Sequence, residues 1–392
     1  MRHTATEKFP RRWFMRGAVS VATVTCLPSS LWSGDQAIPG GAASISTNPD
    51  AMEEALEMLA GLAPLTNHGP MAAEALVALG RAESVTAFVE SYKKRFSVGF
   101  PATFQLVTRA NWRAALGDGR RVADWVNFFQ QELKEAAWPQ VLERWTAALA
   151  PGLAAAAAHG LIRTGHAVRS LAVKETDLRR RELAEGLGYW AAYYQPLPET
   201  AREASNADAD RSKRLKPDQA IRQVPLLPAE KRASGGSIMV GLRSLQDFPP
   251  FAATADLVET AGAAGKFLSE LTETFAAVYA RHVTPRNFIT LIHSVTGATA
   301  LRSLLPYLSP AITRKALRYG WQASAALYSI SGDGSLNAAP ADKRIDREGL
   351  IDRAVALREE HAIKFTEACL REYALNPKPI YLQAAQDALG RL

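Results

Sequence analysis

Residues 284–328 read TPRNFITLIHSVTGATALRSLLPYLSPAITRKALRYGWQASAALY. Two helix starts are written into this stretch. Thr284-Pro285 and Ser309-Pro310 each offer a hydroxyl at a capping position and a proline in the first turn, where its missing N–H is not needed. Between them, Phe288, Ile289, Ile292 and Val295 form an apolar stripe at helical spacing around His293. The same punctuation recurs outward along the chain. Asn48-Pro49-Asp50 opens a helix over 51–62, Pro70 starts one running through 79, and further helices are expected over 84–94, 122–136, 138–148 and 177–194. Pro151 is expected to start the helix that carries His159 and His166. One long helix is expected over 252–280. Another should run from its cap Asp346 to 373, carrying His361 and Lys364, and a last short one over 379–392. Residues 100–104 read as irregular and 331–335 as a turn. Val/Ile/Thr alternation is scarce, so the expected fold is all-α with no sheet of more than two short strands. It should be a single large multi-helix domain over 44–392. Within it, the polar and charged segment 199–235 reads as a surface excursion.

Composition bounds the function. With 392 residues and 47% hydrophobic content, a chain of this length buries roughly 75% of its unfolded surface. The formal charge is +7, of which +4 lies in the first 34 residues. The remaining +3 is no nucleic-acid-binding balance, and no basic stripe interleaved with aromatics accompanies it. The two cysteines, Cys26 and Cys369, are too few for a cysteine-based zinc or iron–sulfur site.

Residues 1–43 read as a leader. Arg11-Arg12 precede Trp13-Phe14-Met15-Arg16 and then an apolar run of about 11 residues, too short to span a bilayer, which takes about 20. The pattern resembles a twin-arginine export signal, with the mature chain expected to start near Ala43. It implies a periplasmic or extracellular protein, or a cytoplasmic one if the start codon is misassigned.

Histidine is the informative residue type. The chain has seven, and four sit in segments that look built around them: His68, His159, His293 and His361. His159 and His166 are seven apart and share a helix face, as do His361 and Lys364, three apart. A lone histidine in an apolar stripe is ordinarily a core residue. Four in a histidine-poor helical chain favour a metal held through imidazole nitrogen, although spacing alone does not bring them together. Nucleotide-binding glycine motifs, the G-x-S-x-G elbow and H-E-x-x-H are missing. Arg358 and Thr290 stand three before His361 and His293, where a ferritin-like di-iron site needs glutamate. The cluster Tyr189, Trp190, Tyr193 and Tyr194 reads as helix packing, with a flat aromatic ligand as the alternative. Arg163 and Arg169 read as partners of surface acids, with a substrate anion as the alternative.

At these residues the chain resembles the questin oxidase family. The matching pieces are NHGPMAAEALVALG around His68, HGLIRTGHAVRSL from His159, TLIHSVTGATALRSLLPYL around His293 and HAIKFTEA from His361, in order and spacing across 50–390. The resemblance implies an oxygen-dependent oxidoreductase that opens a ring of a planar aromatic or quinone polyketide, a Baeyer–Villiger-like outcome. It implies a mononuclear non-haem iron (Fe2+) held by His68, His159, His293, His361 and a carboxylated Lys364, with O2 and a small aromatic molecule as partners. Lys364 and His166 are the candidate catalytic residues, and His166 is expected to line a central His-lined pocket without ligating. Fungal relatives tend to have histidine and tyrosine where this chain has Arg163 and His166, a departure from the family pattern that leaves the substrate's identity open. Two alternatives stay open: an NADPH-dependent Baeyer–Villiger-type monooxygenase without metal, and a non-catalytic helical binding protein.

Overall fold

The computed structural model describes residues 51–60, 67–95, 103–200, 214–232, 237–332 and 345–392. The twin-arginine leader and most of the 331–335 turn lie outside them. Among the described residues the fold is all-α. No strand is present, only an isolated parallel bridge between Leu215 and Val258.

Most helices fall where their caps place them. Thr176 and Asp346 accept hydrogen bonds from the amides of Arg179 and Glu348 at the starts of Asp177–Ala192 and Arg347–Leu357. Pro70, Pro310 and Pro379 stand in the first turns of Gly69–Ala78, Pro310–Ser331 and Pro379–Arg391. The helix of the opening stretch, Phe288–Leu304, starts later than Thr284-Pro285 suggests. There the Asn287 side chain accepts from the Thr284 amide at 2.7 Å and closes a turn first.

Three expected helices are broken. The 252–280 helix is a 3₁₀ segment, Pro249–Asp256, followed by Ala264–His282. Between them Leu257 and Glu259 spend backbone groups on Leu215, which holds the chain extended. The 346–373 helix breaks at Arg358, which adopts a left-handed φ of 51°. Glu359 then caps Glu360–Leu375 by accepting from the Ala362 amide at 2.7 Å. The helix expected from Pro151 begins only at His159, after three left-handed alanines.

Two helices form the centre. Every residue of His159–Val173 up to Leu171 is buried, and so is every residue from Thr290 to Leu301 in Phe288–Leu304. Phe288–Leu304 is apolar on most faces, as a helix inside a protein or a membrane is, whereas the buried Arg163, His166 and Arg169 of His159–Val173 are paired with acids. Among the described residues Phe288–Tyr307 alone is long and apolar enough to cross a membrane, and 78% of that window is buried within the protein, as for a core helix. The two central helices approach closely: a Cβ on Gly165 would lie 2.9 Å from the Ala300 carbonyl oxygen. Asp177–Ala192, Ala264–His282, Pro310–Ser331, Glu360–Leu375 and Gly69–Ala78 pack around this pair. In the polar 199–235 segment the described residues 214–232 are tied down, with Ala220 and Leu227 fully buried and the Leu227 amide donating to the Ser329 carbonyl at 2.8 Å.

Candidate metal centre

Four helices bring one histidine each to a common place. His68 stands just before Gly69–Ala78, its amide donating to the Tyr92 hydroxyl at 2.8 Å. His159 is the first residue of its helix, His293 lies within Phe288–Leu304, and His361 is one turn before Lys364 on Glu360–Leu375. Ring centroids are 4.8 Å apart for His68–His159 and for His68–His361, 4.5 Å for His159–His293 and 5.4 Å for His293–His361. The ligand-capable nitrogens of His68, His159 and His361 lie within 4.8 Å of one another. Lys364 Nζ is 3.3 Å from His68 Nδ1. All five residues predicted as ligands are therefore neighbours.

Three rings are oriented from behind. Nδ1 of His159 meets the Ala156 carbonyl, Nδ1 of His293 meets the Ile289 carbonyl at 2.7 Å, and Nδ1 of His361 meets Glu359 Oε1 at 2.7 Å. These partners only accept, so each ring carries a proton on Nδ1 and turns Nε2 the other way. Metal-binding histidines are held in this manner, by a carbonyl or carboxylate on the far nitrogen. His68 differs, because its Nδ1 faces Lys364 and, at 3.8 Å, Glu360.

The electrostatics agree with neutral rings at His68, His159 and His293. Burial, then Lys364 and the other imidazoles, hold His68 well below the usual imidazole range. Burial and then Lys364 bring His159 down to about 3, against the opposing pull of the Ala156 carbonyl. Burial, His159, His361 and Lys364 do the same to His293. Burial lowers Lys364 to about 8, although Glu360 and Glu359 oppose it. The decisive geometry is that His159 Nε2 and His293 Nε2 face each other at 3.1 Å. With both protons on Nδ1, two lone pairs meet without a hydrogen between them. A shared cation removes that repulsion, and two imidazole nitrogens at about 2.0–2.1 Å from one ion, at right angles, lie about 3 Å apart. The donor set present fits a transition metal.

The expected central His-lined pocket is not what the structure shows. The four rings lie against one another. The adjoining cavity of about 10 Å³ is lined by His166, Arg169, Ser303, Lys364, Glu367 and Arg371, among others. That is about the space of one water. His166 faces it without being a member of the histidine cluster, and its Nδ1 meets Glu74 at 2.6 Å. Arg169 bonds both Glu74 and Glu367, the latter at 2.6 Å. Burial pushes the Glu74 carboxyl up, but Arg169 and His166 hold it below the usual carboxylate range. Arg163 pairs with Glu182 and Glu185. Both arginines thus meet acids, as expected, but in the interior rather than at the surface. The Tyr/Trp cluster is packing: Trp190 Nε1 donates to the Gly152 carbonyl at 3.1 Å, and the rings of Tyr189 and Tyr193 lie 4.5 Å apart.

Sequence reading missed Glu74, Tyr92, Glu359 and Glu360. Glu74 had a signal, since it is the one acid inside the apolar run GPMAAEALVA. Glu359 and Glu360 precede His361 directly. Tyr92 had none, since only the fold brings its hydroxyl to the His68 amide.

A family model described as questin oxidase-like matches residues 65–369. The chain belongs to the questin oxidase-like family. Membership suggests an oxidoreductase acting on a small substrate, and the matched span contains all four clustered histidines and Lys364. No curated protein matches the chain. In this questin oxidase-like protein the clustered residues come from four helices of the matched region, and the Pro379–Arg391 helix lies beyond it.

Proposed function

We propose that the protein is an oxygen-dependent oxidoreductase in which His68, His159, His293, His361 and Lys364 hold one ferrous iron, and that it oxidises, and cleaves a ring of, a planar aromatic or quinone substrate. The observation that carries this reading is the pair of facing Nε2 atoms, 3.1 Å apart, on rings held from behind. Bound iron supplies the position at which O2 is activated. The chain's own residues do the rest. The carbonyls of Ala156 and Ile289 and the Glu359 carboxylate fix three ring orientations. The burial of the cluster excludes bulk water. Lys364 as an ammonium is repelled by a cation. As a carbamate, formed when the free amine nitrogen bonds to the carbon of CO2 and gives up its proton to solvent, it offers an anionic oxygen. His166, its Nδ1 proton directed at Glu74, presents Nε2 as a proton acceptor beside the water-sized cavity that Lys364 shares. Export through the Arg11-Arg12 leader, a route that carries folded proteins, would let the iron load beforehand.

The test is oxygen uptake with an anthraquinone-type substrate, with and without ferrous iron, in wild type and in Lys364→Arg. Arginine keeps the charge and length but does not form a carbamate. Uptake in wild type should require iron and fall at least 100-fold in Lys364→Arg, with Lys364→Glu recovering part of it. Full activity in Lys364→Arg removes the lysine from the ligand set.

A further inference from the structure

Ala156, Ala157 and Ala158 have φ of 49°, 59° and 63°. L-residues enter the left-handed region at a cost and ordinarily singly, with glycine or asparagine preferred. Three consecutive buried alanines there, 4%, 3% and 2% exposed, form a strained turn that the surrounding packing must hold. Such outliers gather where a site needs a fixed geometry. Two consequences of the turn reach the histidines. In a right-handed helix the Ala156 carbonyl would point along the axis to the amide four residues on. Here it turns to His159 and accepts from both its amide, at 3.3 Å, and its ring. The turn also sets Ala158 against Gly297, one helical turn beyond His293. A Cβ built on Gly297 would lie 3.1 Å from the Ala158 Cβ, closer than methyl groups ordinarily approach, and neither partner has a flexible end to yield.

We propose that the left-handed alanine turn, wedged against Gly297, is the positioning device that sets the separation of His159 and His293. Ala156 fixes the ring's orientation and proton, and the Ala158–Gly297 contact fixes how near the two helices bring their Nε2 atoms. Gly297 is the complement of the wedge: any side chain there moves His159 away from His293. This inference rests on reading the cluster as a metal centre.

Cobalt(II) is the probe, because its visible absorption bands report ligand geometry without any turnover. Gly297→Ala should bind cobalt at least tenfold more weakly than wild type, with shifted bands and an unchanged helical circular dichroism spectrum. Ala158→Gly removes the wedge at a position where glycine is at ease, and should weaken binding about threefold. Combining the two moves one methyl across the contact and should restore affinity to within about twofold. Unchanged affinity and bands in Gly297→Ala overturn the proposal. So does a double variant no better than Gly297→Ala, which would mean that Gly297 serves helix packing alone. If wild type binds no cobalt, the metal reading fails, and crystal structures of the metal-free proteins decide the positioning. The Nε2–Nε2 distance should widen beyond 3.1 Å in Gly297→Ala and return in the double variant, and a constant distance overturns the proposal. If Gly297→Ala does not fold, Ala158→Gly alone carries the test: an unchanged cobalt affinity overturns the proposal.

Discussion

His293→Ala is expected to lose bound iron and oxygen uptake while keeping its fold. His293 lies in the interior of Phe288–Leu304, where alanine is the best helix former. The Ile289 carbonyl keeps its own helical partner when the ring is removed. The substitution also ends the contact between two lone pairs at 3.1 Å, so the metal-free variant loses little beyond the packing of one ring. The metal-bound state loses a ligand. Removing even a residue that orients a ligand typically costs 10–100-fold in metal affinity, so loss of His293 should cost at least about 100-fold. Since a ligand stabilises only the state it binds, ferrous iron or cobalt should raise the melting temperature of wild type and leave that of His293→Ala unmoved. Equal thermal shifts in both proteins would remove His293 from the site.

Arg169→Leu should be the most destabilising single change near the cluster. Arg169 is 9% exposed and bonds two carboxylates, Glu74 and Glu367, that are themselves buried. Removing one member of a buried pair leaves a charge with less compensation, typically about 3–5 kcal/mol, and here two acids lose their shared partner, Glu74 keeping only His166 and Glu367 only Arg371. Arg169→Lys should recover little, because one ammonium does not fork to both carboxylates. Arg109→Ala is the comparison, since Arg109, 60% exposed, pairs with the exposed Glu135 and with a buried Glu132 that keeps Arg144 and Trp145. Exposed pairs contribute about 0–1 kcal/mol. Thermal melts of the three variants check this ordering. An Arg169→Leu protein as stable as Arg109→Ala would show that Glu74 and Glu367 do not need the guanidinium.

The helices were legible where local chemistry agrees with the fold. Pro70, Pro310 and Pro379, with the cap Asp346, mark real starts because their preferences act within one turn. The breaks were not legible, for the same reason. Alanine is the strongest helix former, so nothing local in Ala156–Ala158 announces a left-handed turn. Arg358 gives no more warning. Packing from distant segments imposes both. Nor does spacing show that His68, His159, His293 and His361 meet. It places His166 on the His159 face and Lys364 on the His361 face, and the convergence was foreseen only through the family resemblance. A central His-lined pocket is not shown, and the small cavity beside His166 and Lys364 was not legible because residues of three separate helices line it. Glu74 could have been read as a buried acid seeking a cation, but its partner Arg169 is 95 residues away in sequence.

The most direct measurement of the central claim is the metal content of the full-length protein, purified anaerobically with ferrous iron supplied and compared with its His293→Ala variant. One iron per chain in wild type, its absence in the variant, and oxygen uptake in proportion to iron are the expected results. Undiminished oxygen uptake by wild-type protein stripped of metal would contradict the account.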